Sequence, residues 1–425
     1  MRLFKSLSEF NRNVLTLITG TTIAQAIPIA ISPILTRIYT PEDFGIFAVY
    51  AGLLMILGSI ATFKYELAIN LPLDHGEAFV LFAVSIIIAC CLSLLLFVAL
   101  LFLGETLADL LGNKALASWL YLLPLSVLLV GVSNSCNYWF NRNKEFNTLS
   151  KNRVVQSSIS AGGQLSFSSM PIGSGLIVGF VIGQIASVIY YVKSYLGLHS
   201  HLGMADINQK AAARLMSKYR KFPRYQVPSS LIESSSAQMP VFLLGVFFNP
   251  GTVGFYSLSQ RVIRLPIGVI ARSIGEVFRQ KASAEFAASG DVRAVFRATL
   301  KKLIIISSIP FLIFGLFSPQ LFVIVFGENW LVAGEYAQIM TPLFWMSFVV
   351  GPLSIMFMIA EKQEYDLVIQ ILLIVSSTLA LLAGYYYFDS AYISIALFTI
   401  VYLVKYTIEL LLSYRFCVSR DKLHG

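Results

Sequence analysis

Glu77–Leu103 reads EAFVLFAVSIIIACCLSLLLFVALLFL, with no charged side chain after the first. About 20 apolar residues suffice for a helix to cross the hydrocarbon core of a bilayer. A helix on a soluble core keeps one polar face, and this run has none. Similar apolar stretches recur at 13–38, 44–70, 115–140, 150–169 and 172–196, then at 223–248, 252–279, 298–322, 331–360, 364–388 and 390–416. The composition agrees: 57% hydrophobic residues, 12% charged and a mean hydropathy of +0.75, where soluble domains carry about a quarter charged. Little polar sequence is left for a soluble domain. The expected fold class is therefore an all-α polytopic membrane protein of about 12 transmembrane helices. The fifth stretch is the most polar, with Gln156, Ser157, Ser158, Ser160, Gln164 and Ser166, so its polar residues must face protein or water.

The net charge of +9 is read by position rather than by sum. Arg2, Lys5, Arg12, Arg142, Lys144, Lys151 and Arg153 lie on one side. The run Lys210, Arg214, Lys218, Arg220, Lys221, Arg224 joins them, as do Arg279, Lys281, Arg293, Arg297, Lys301, Lys302, Lys362, Arg415, Arg420 and Lys422. The opposite connections hold only Arg37 and Lys114. The positive-inside rule then places both termini in the cytoplasm, and the charge needs no nucleic-acid partner. Arg2, Lys5 and Arg12 with Ala24-Gln25-Ala26 resemble a signal peptide, but threonines at 16, 19, 21 and 22 interrupt the apolar region; the stretch is expected to be a retained helix.

Cys90, Cys91, Cys136 and Cys417 show no metal or disulfide spacing. The histidines, His75, His199, His201 and His424, fall in loops or the tail, so no intramembrane histidine relay is expected and His199-x-His201 is a weak metal signal. No phosphate-binding loop of the Walker type is found. No catalytic residues, cofactor or metal are expected.

The chain repeats itself. Thr40-Pro41-Glu42-Asp43-Phe44-Gly45-Ile46-Phe47 joins the first two stretches, and Asn249-Pro250-Gly251-Thr252-Val253-Gly254-Phe255-Tyr256 joins the seventh and eighth. Lys144-Glu145-Phe146 answers Gln363-Glu364-Tyr365, and Gly112 with Pro124 answers Gly327 with Pro342. Two six-helix halves follow, residues 1–196 and 223–425, joined by a cytoplasmic linker at 197–222. Six being even, the repeats are parallel.

A charge at mid-bilayer costs at least ~2.5 kcal/mol and requires a partner or a wet cavity. The eighth stretch holds Arg261, Arg264, Arg272, Glu276 and Arg279, which share one stripe at about 100° per residue. Measured from Thr252, Arg261 and Arg264 are ~14–18 Å deep. A structural reading pairs them with Glu233 of the seventh stretch; a functional reading makes them a cationic wall for an anionic group. Two arginines against one acid favour the second, and arginine suits phosphate through its planar fork. Lys405 and Glu409, four apart, form a charge pair or a coupling site. Lys64 and Glu66 lie near the inner end of the second stretch. Gln25, before Pro28 and Pro33, faces a cavity, and Pro228, Pro240 and Pro266 are further candidate bends. Gly175, Gly179 and Gly183 have the spacing of close helix packing.

Leu35-Thr36-Arg37-Ile38-Tyr39-Thr40-Pro41-Glu42-Asp43-Phe44-Gly45 resembles the first inter-helix junction of Wzx-type polysaccharide (O-antigen) flippases. Lys64-Tyr65-Glu66-Leu67-Ala68-Ile69 and Gly254-Phe255-Tyr256-Ser257-Leu258-Ser259-Gln260-Arg261 look like the same family. The resemblance covers essentially the whole chain. It implies membership of the multidrug/oligosaccharidyl-lipid/polysaccharide exporter superfamily, with two six-helix lobes forming a V around a central cavity. It also implies a multi-pass protein of the bacterial inner membrane that moves undecaprenyl-diphosphate-linked oligosaccharide to the periplasmic leaflet by alternating access, for O-antigen or a related surface polysaccharide. Arg261 and Arg264 would suit the diphosphate, and Gln25, Gln156 and Gln164 the glycan. Glu66, Glu233 and Glu409 are the acids available for coupling to an ion gradient, and none stands out. A polysaccharide polymerase and a chain-length regulator are the protein partners such a flippase implies.

A multidrug antiporter of the same superfamily is the main alternative, although it would more naturally show unpaired acids. The lipid II flippase branch typically has two more helices. A membrane glycan polymerase or ligase would show a long outward loop, which is lacking, and an assembly scaffold is separated only by a transport assay.

Overall fold

The computed structural model describes residues 9–169, 174–198 and 208–418. His199, His201, His424, Arg2, Lys5, Arg420 and Lys422 lie outside them. The described residues are helical and form no strand, only an isolated bridge between Asp291 and Val418. They divide into two compact units, Met1–Val253 and Gly254–Gly425.

The first unit contains α1 (Glu9–Ile38), α2 (Pro41–Gly58), α3 (His75–Leu110), the short α4 (Ala117–Leu120), α5 (Leu123–Arg142), α6 (Phe146–Ser166), α7 (Ser174–Leu198), α8 (Gln209–Lys218) and α9 (Val227–Phe247). α10 (Pro250–Pro266) begins at its end. The second unit continues with α11 (Arg272–Ser289), α12 (Arg293–Phe326), α13 (Leu331–Val350), the short α14 (Met356–Ile359), α15 (Gln363–Phe388) and α16 (Ala391–Arg415). Each of the twelve apolar stretches is helical over most of its length. Among the described residues seven helices are individually long and apolar enough to cross a membrane, and eight if Lys114–Leu120 and Leu123–Arg142, bent by 51°, form one span. α6 and α9 are among those that fall short, because serines, glutamines and Glu233 dilute their apolar content.

Local chemistry accounts for the repeated junction. Thr40 caps α2: its Oγ1 accepts from the Asp43 amide at 3.3 Å, and Asp43 Oδ2 accepts from the Thr40 amide at 2.9 Å. Asn249 does the same for α10, its Oδ1 accepting from the Thr252 amide at 2.8 Å. In both, proline follows the cap, where its missing N–H would have had no partner anyway. The far ends match as well. Lys144 and Glu361 both have positive φ, 57° and 54°. The Glu145 amide donates to the Phe140 carbonyl at 2.9 Å, as the Lys362 amide does to Phe357 at 2.7 Å. This geometry pairs Lys144 with Glu361, two residues earlier than the pairing with Gln363 read from the sequence.

Glycine sets the close approaches. A Cβ on Gly179 would lie 2.2 Å from the Gln164 amide nitrogen, and one on Gly183 would lie 2.6 Å from Ser160 Cβ, so the Gly175–Gly179–Gly183 stripe packs α7 directly on α6. Gly45, inside the repeated junction, abuts Pro250: a Cβ there would be 1.8 Å from the Pro250 carbonyl oxygen. Gly45→Ala is expected to lower stability by about 1–3 kcal/mol. Gly162→Ala is the control, since nothing lies within 4 Å of its added Cβ. Thermal unfolding of the two purified variants checks this, and equal melting would refute the close packing at Gly45.

The core of the first unit gathers Phe79, Phe82, Trp139, Phe140 and Tyr191. Phe82 and Trp139 have ring centroids 5.3 Å apart. Leu215 of α8 is fully buried in this cluster, and Arg214 of α8 pairs with Glu77 at 2.6 Å. The polar stretch 197–222 thus contributes a helix seated on the first unit. In the second unit, Phe255 meets Trp330 edge-on at 5.9 Å and Tyr336 meets Tyr392 at 5.0 Å. Cys136 and Cys417 are buried, Cys90 and Cys91 exposed along apolar α3. Burial pushes the Cys417 thiol up to about 12, which suppresses its reactivity.

Candidate functional site

The two arginines that the sequence reading placed at mid-bilayer lie on α10. Arg261 is half-buried and Arg264 exposed. The Arg264 guanidinium stands over the Phe344 ring of α13, 5.7 Å from its centroid. It interacts electrostatically with the hydroxyls of Tyr256 and Tyr402, and Gln260 Nε2 donates to the Tyr256 hydroxyl. Tyr402 continues an aromatic row on α16, 4.6 Å from Phe398 and 6.3 Å from Tyr406. Among the described residues neither arginine is in an ion pair. Glu233, exposed on α9, is in none either. The Arg264 guanidinium thus sits against an aromatic ring rather than a carboxylate.

The wider stripe does not carry through. Residues 267–271 form a π-helical turn directly after Pro266. Proline lacks the N–H that continues an α-helix, and a π turn turns fewer degrees per residue. The phase assumed from 252 to 279 breaks there, separating Arg272 and Arg279 from Arg261. Those two instead line a cavity of about 470 Å³ with Glu276, Gln363 and Asp366.

Lys405 and Glu409 of α16 are 2.7 Å apart and nearly buried, and Lys405 Nζ also lies 4.1 Å from the Tyr406 ring centroid. Glu66, 3% exposed, accepts from Thr62 Oγ1. Lys64 occupies the turn before it with φ 64°. Gln25 is exposed on α1.

The glutamines of α6 diverge. Gln164 packs structurally: its side-chain Nε2 donates to the Leu176 carbonyl at 3.3 Å, and its backbone carbonyl accepts from the Tyr39 hydroxyl at 2.7 Å. Gln156 lines a polar cavity of about 210 Å³ formed by α5, α6 and α7. Asn134, Asn137, Asn152, Gln184 and Tyr191 share that cavity with Arg153, and the sequence reading had missed all of these but Gln156 and the basic Arg153. Their signal is the i, i+3 or i+4 spacing of carboxamides within apolar helices. Asn152 Nδ2 donates to Ser187 Oγ at 2.8 Å and Asn137 Nδ2 to the Tyr191 hydroxyl at 3.3 Å, but Asn152 Oδ1 and Gln184 Oε1 have no partner among the described residues. An unmet buried acceptor costs about 1–3 kcal/mol. Among the described residues no cluster of three or more His, Cys, Asp or Glu could hold a metal.

Residues 34–335 match the family model described as polysaccharide biosynthesis protein. The chain belongs to that family. A curated relative, the teichuronic acid biosynthesis protein TuaB of Bacillus subtilis (strain 168), is 25% identical over 248 residues, 56% of this chain. The match spans 48% of TuaB, about half its length. Among solved structures, the lipid II flippase MurJ in an inward closed conformation superposes with a TM-score of 0.75 at 13% identity, covering 95% of this chain and 87% of that one. An inward-facing multidrug resistance MATE transporter of the MOP superfamily gives 0.62 at 14% identity, over 95% and 94%. A MOP superfamily transporter from Pyrococcus furiosus gives 0.59 at 14%, over 96% and 95%. At these identities the likeness is one of fold. This polysaccharide biosynthesis protein thus has the multi-pass fold of MOP-superfamily transporters.

Proposed function

We propose that the protein is a flippase carrying undecaprenyl-diphosphate-linked oligosaccharide from the cytoplasmic to the periplasmic leaflet of the bacterial inner membrane. In this reading twelve spans form two six-helix lobes, 1–196 and 223–425, joined at 197–222, with both termini cytoplasmic. The lobes rock about the substrate in alternating access, and a polymerase and chain-length regulator consume the product. The observation that carries the reading is Arg261 and Arg264 on α10, inside an apolar stretch and in no ion pair among the described residues. An anion resolves such a charge, and a diphosphate accepts from the guanidinium fork. Family membership supports a glycan cargo. A multidrug antiporter for cationic drugs is disfavoured by the same arginines.

Depletion in the native host tests it. The expected result is complete lipid-linked units accumulating on the cytoplasmic leaflet, with surface glycan lost. Complete units still reaching the periplasmic leaflet would overturn the reading.

A further inference from the structure

We infer that the cavity bounded by α5, α6 and α7 is a binding subsite for one sugar ring of the transported glycan, an inference that rests on the flippase reading. The cavity is built with a floor and a rim. Asn152, Gln184, Ser187 and Tyr191 form the floor, at 2%, 3%, 0% and 1% exposure. Ser133, Asn134, Asn137 and Gln156 form a half-buried rim. Two floor acceptors, Asn152 Oδ1 and Gln184 Oε1, are without a partner among the described residues.

The lining chemistry selects the ligand class. Five carboxamides each offer donors and acceptors, and a sugar hydroxyl is both at once, so the two pair in either direction. The lining has no carboxylate to hold a cation. Its single fixed charge, Arg153, donates to Thr21 Oγ1, whereas a diphosphate would call for several cations. About 210 Å³ is below the ~300–1,000 Å³ of sites for drug-sized ligands, which limits the occupant to one ring. α6 is polar for this purpose: Asn152 and Gln156, four apart, face the same space.

The full-length Asn134→Cys protein in detergent tests the subsite, with maleimide labelling read at residue 134 by peptide mass spectrometry. Gln156→Cys serves as an independent reporter. The probes are the oligosaccharide released from the host's lipid-linked pool and sugar-free undecaprenyl diphosphate. The oligosaccharide is expected to protect residue 134, and adding Gln156→Ala should raise the half-protecting concentration about tenfold. The sugar-free lipid should protect neither position. Unchanged labelling at both positions, or equal protection by the sugar-free lipid, would overturn the inference. A parallel transport assay in proteoliposomes separates the two ideas. Protection without transport removes the flippase reading, and transport without protection removes the subsite alone.

Discussion

Arg264→Ala is expected to lower transport of lipid-linked oligosaccharide by about 30-fold to several thousand-fold at equal expression. Removing one partner of a desolvated, hydrogen-bonded charge pair costs about 2–5 kcal/mol, and each 1.4 kcal/mol is tenfold. The loss falls on Arg264 because its guanidinium is exposed and stands over Phe344 while in no ion pair among the described residues. Arg264→Lys should recover only part of the activity, since it keeps the charge but loses the planar fork and the ring stacking. Arg272→Ala, beyond the π turn, should have a smaller effect. The measurement is flipping in proteoliposomes, with surface glycan in the host as a second readout. Normal transport by Arg261→Ala and Arg264→Ala together would remove the diphosphate role.

The contrast between Gln156 and Gln164 shows where sequence reasoning stops. Both are polar residues in one helix, and composition ranks them alike. Eight residues put them about 80° apart around the axis, enough for one to face a cavity and the other to pack on α7. Which face does which depends on the neighbouring helices, and that register is tertiary. Glycine was easier to read: the stripe at 175, 179 and 183 is local, and α7 packs on α6 along it. The junction repeat was legible for the same reason, since a cap residue followed by proline is a property of a few adjacent residues. The stripe on α10 and α11 failed because periodicity assumes one helix type throughout. Pro266 marked the place, but a proline permits a kink, a break or a π turn, and only packing chooses among them. Asn134, Asn137, Asn152 and Gln184 lie in three different helices, so their convergence has no counterpart in linear spacing.

Glu409→Leu is expected to destabilise the protein by about 3–5 kcal/mol, because it strands Lys405 in an almost dry site. The two side chains are 12% and 4% exposed and 2.7 Å apart, so neither charge is met by solvent. The Tyr406 ring, 4.1 Å from Lys405 Nζ, offsets only part of the loss, a cation–π contact being worth about 2 kcal/mol when desolvated. Lys405→Met combined with Glu409→Leu should restore stability to within about 1 kcal/mol of the parent, as apolar residues of similar volume replace buried ion pairs at little cost. Thermal unfolding in detergent measures both variants, and transport by the stable double variant then decides what the pair is for. A structural pair leaves transport near that of the parent, which is the expected result. If the double variant folds normally and transports nothing, the pair takes part in the transport cycle and is a coupling site rather than a neutralised contact.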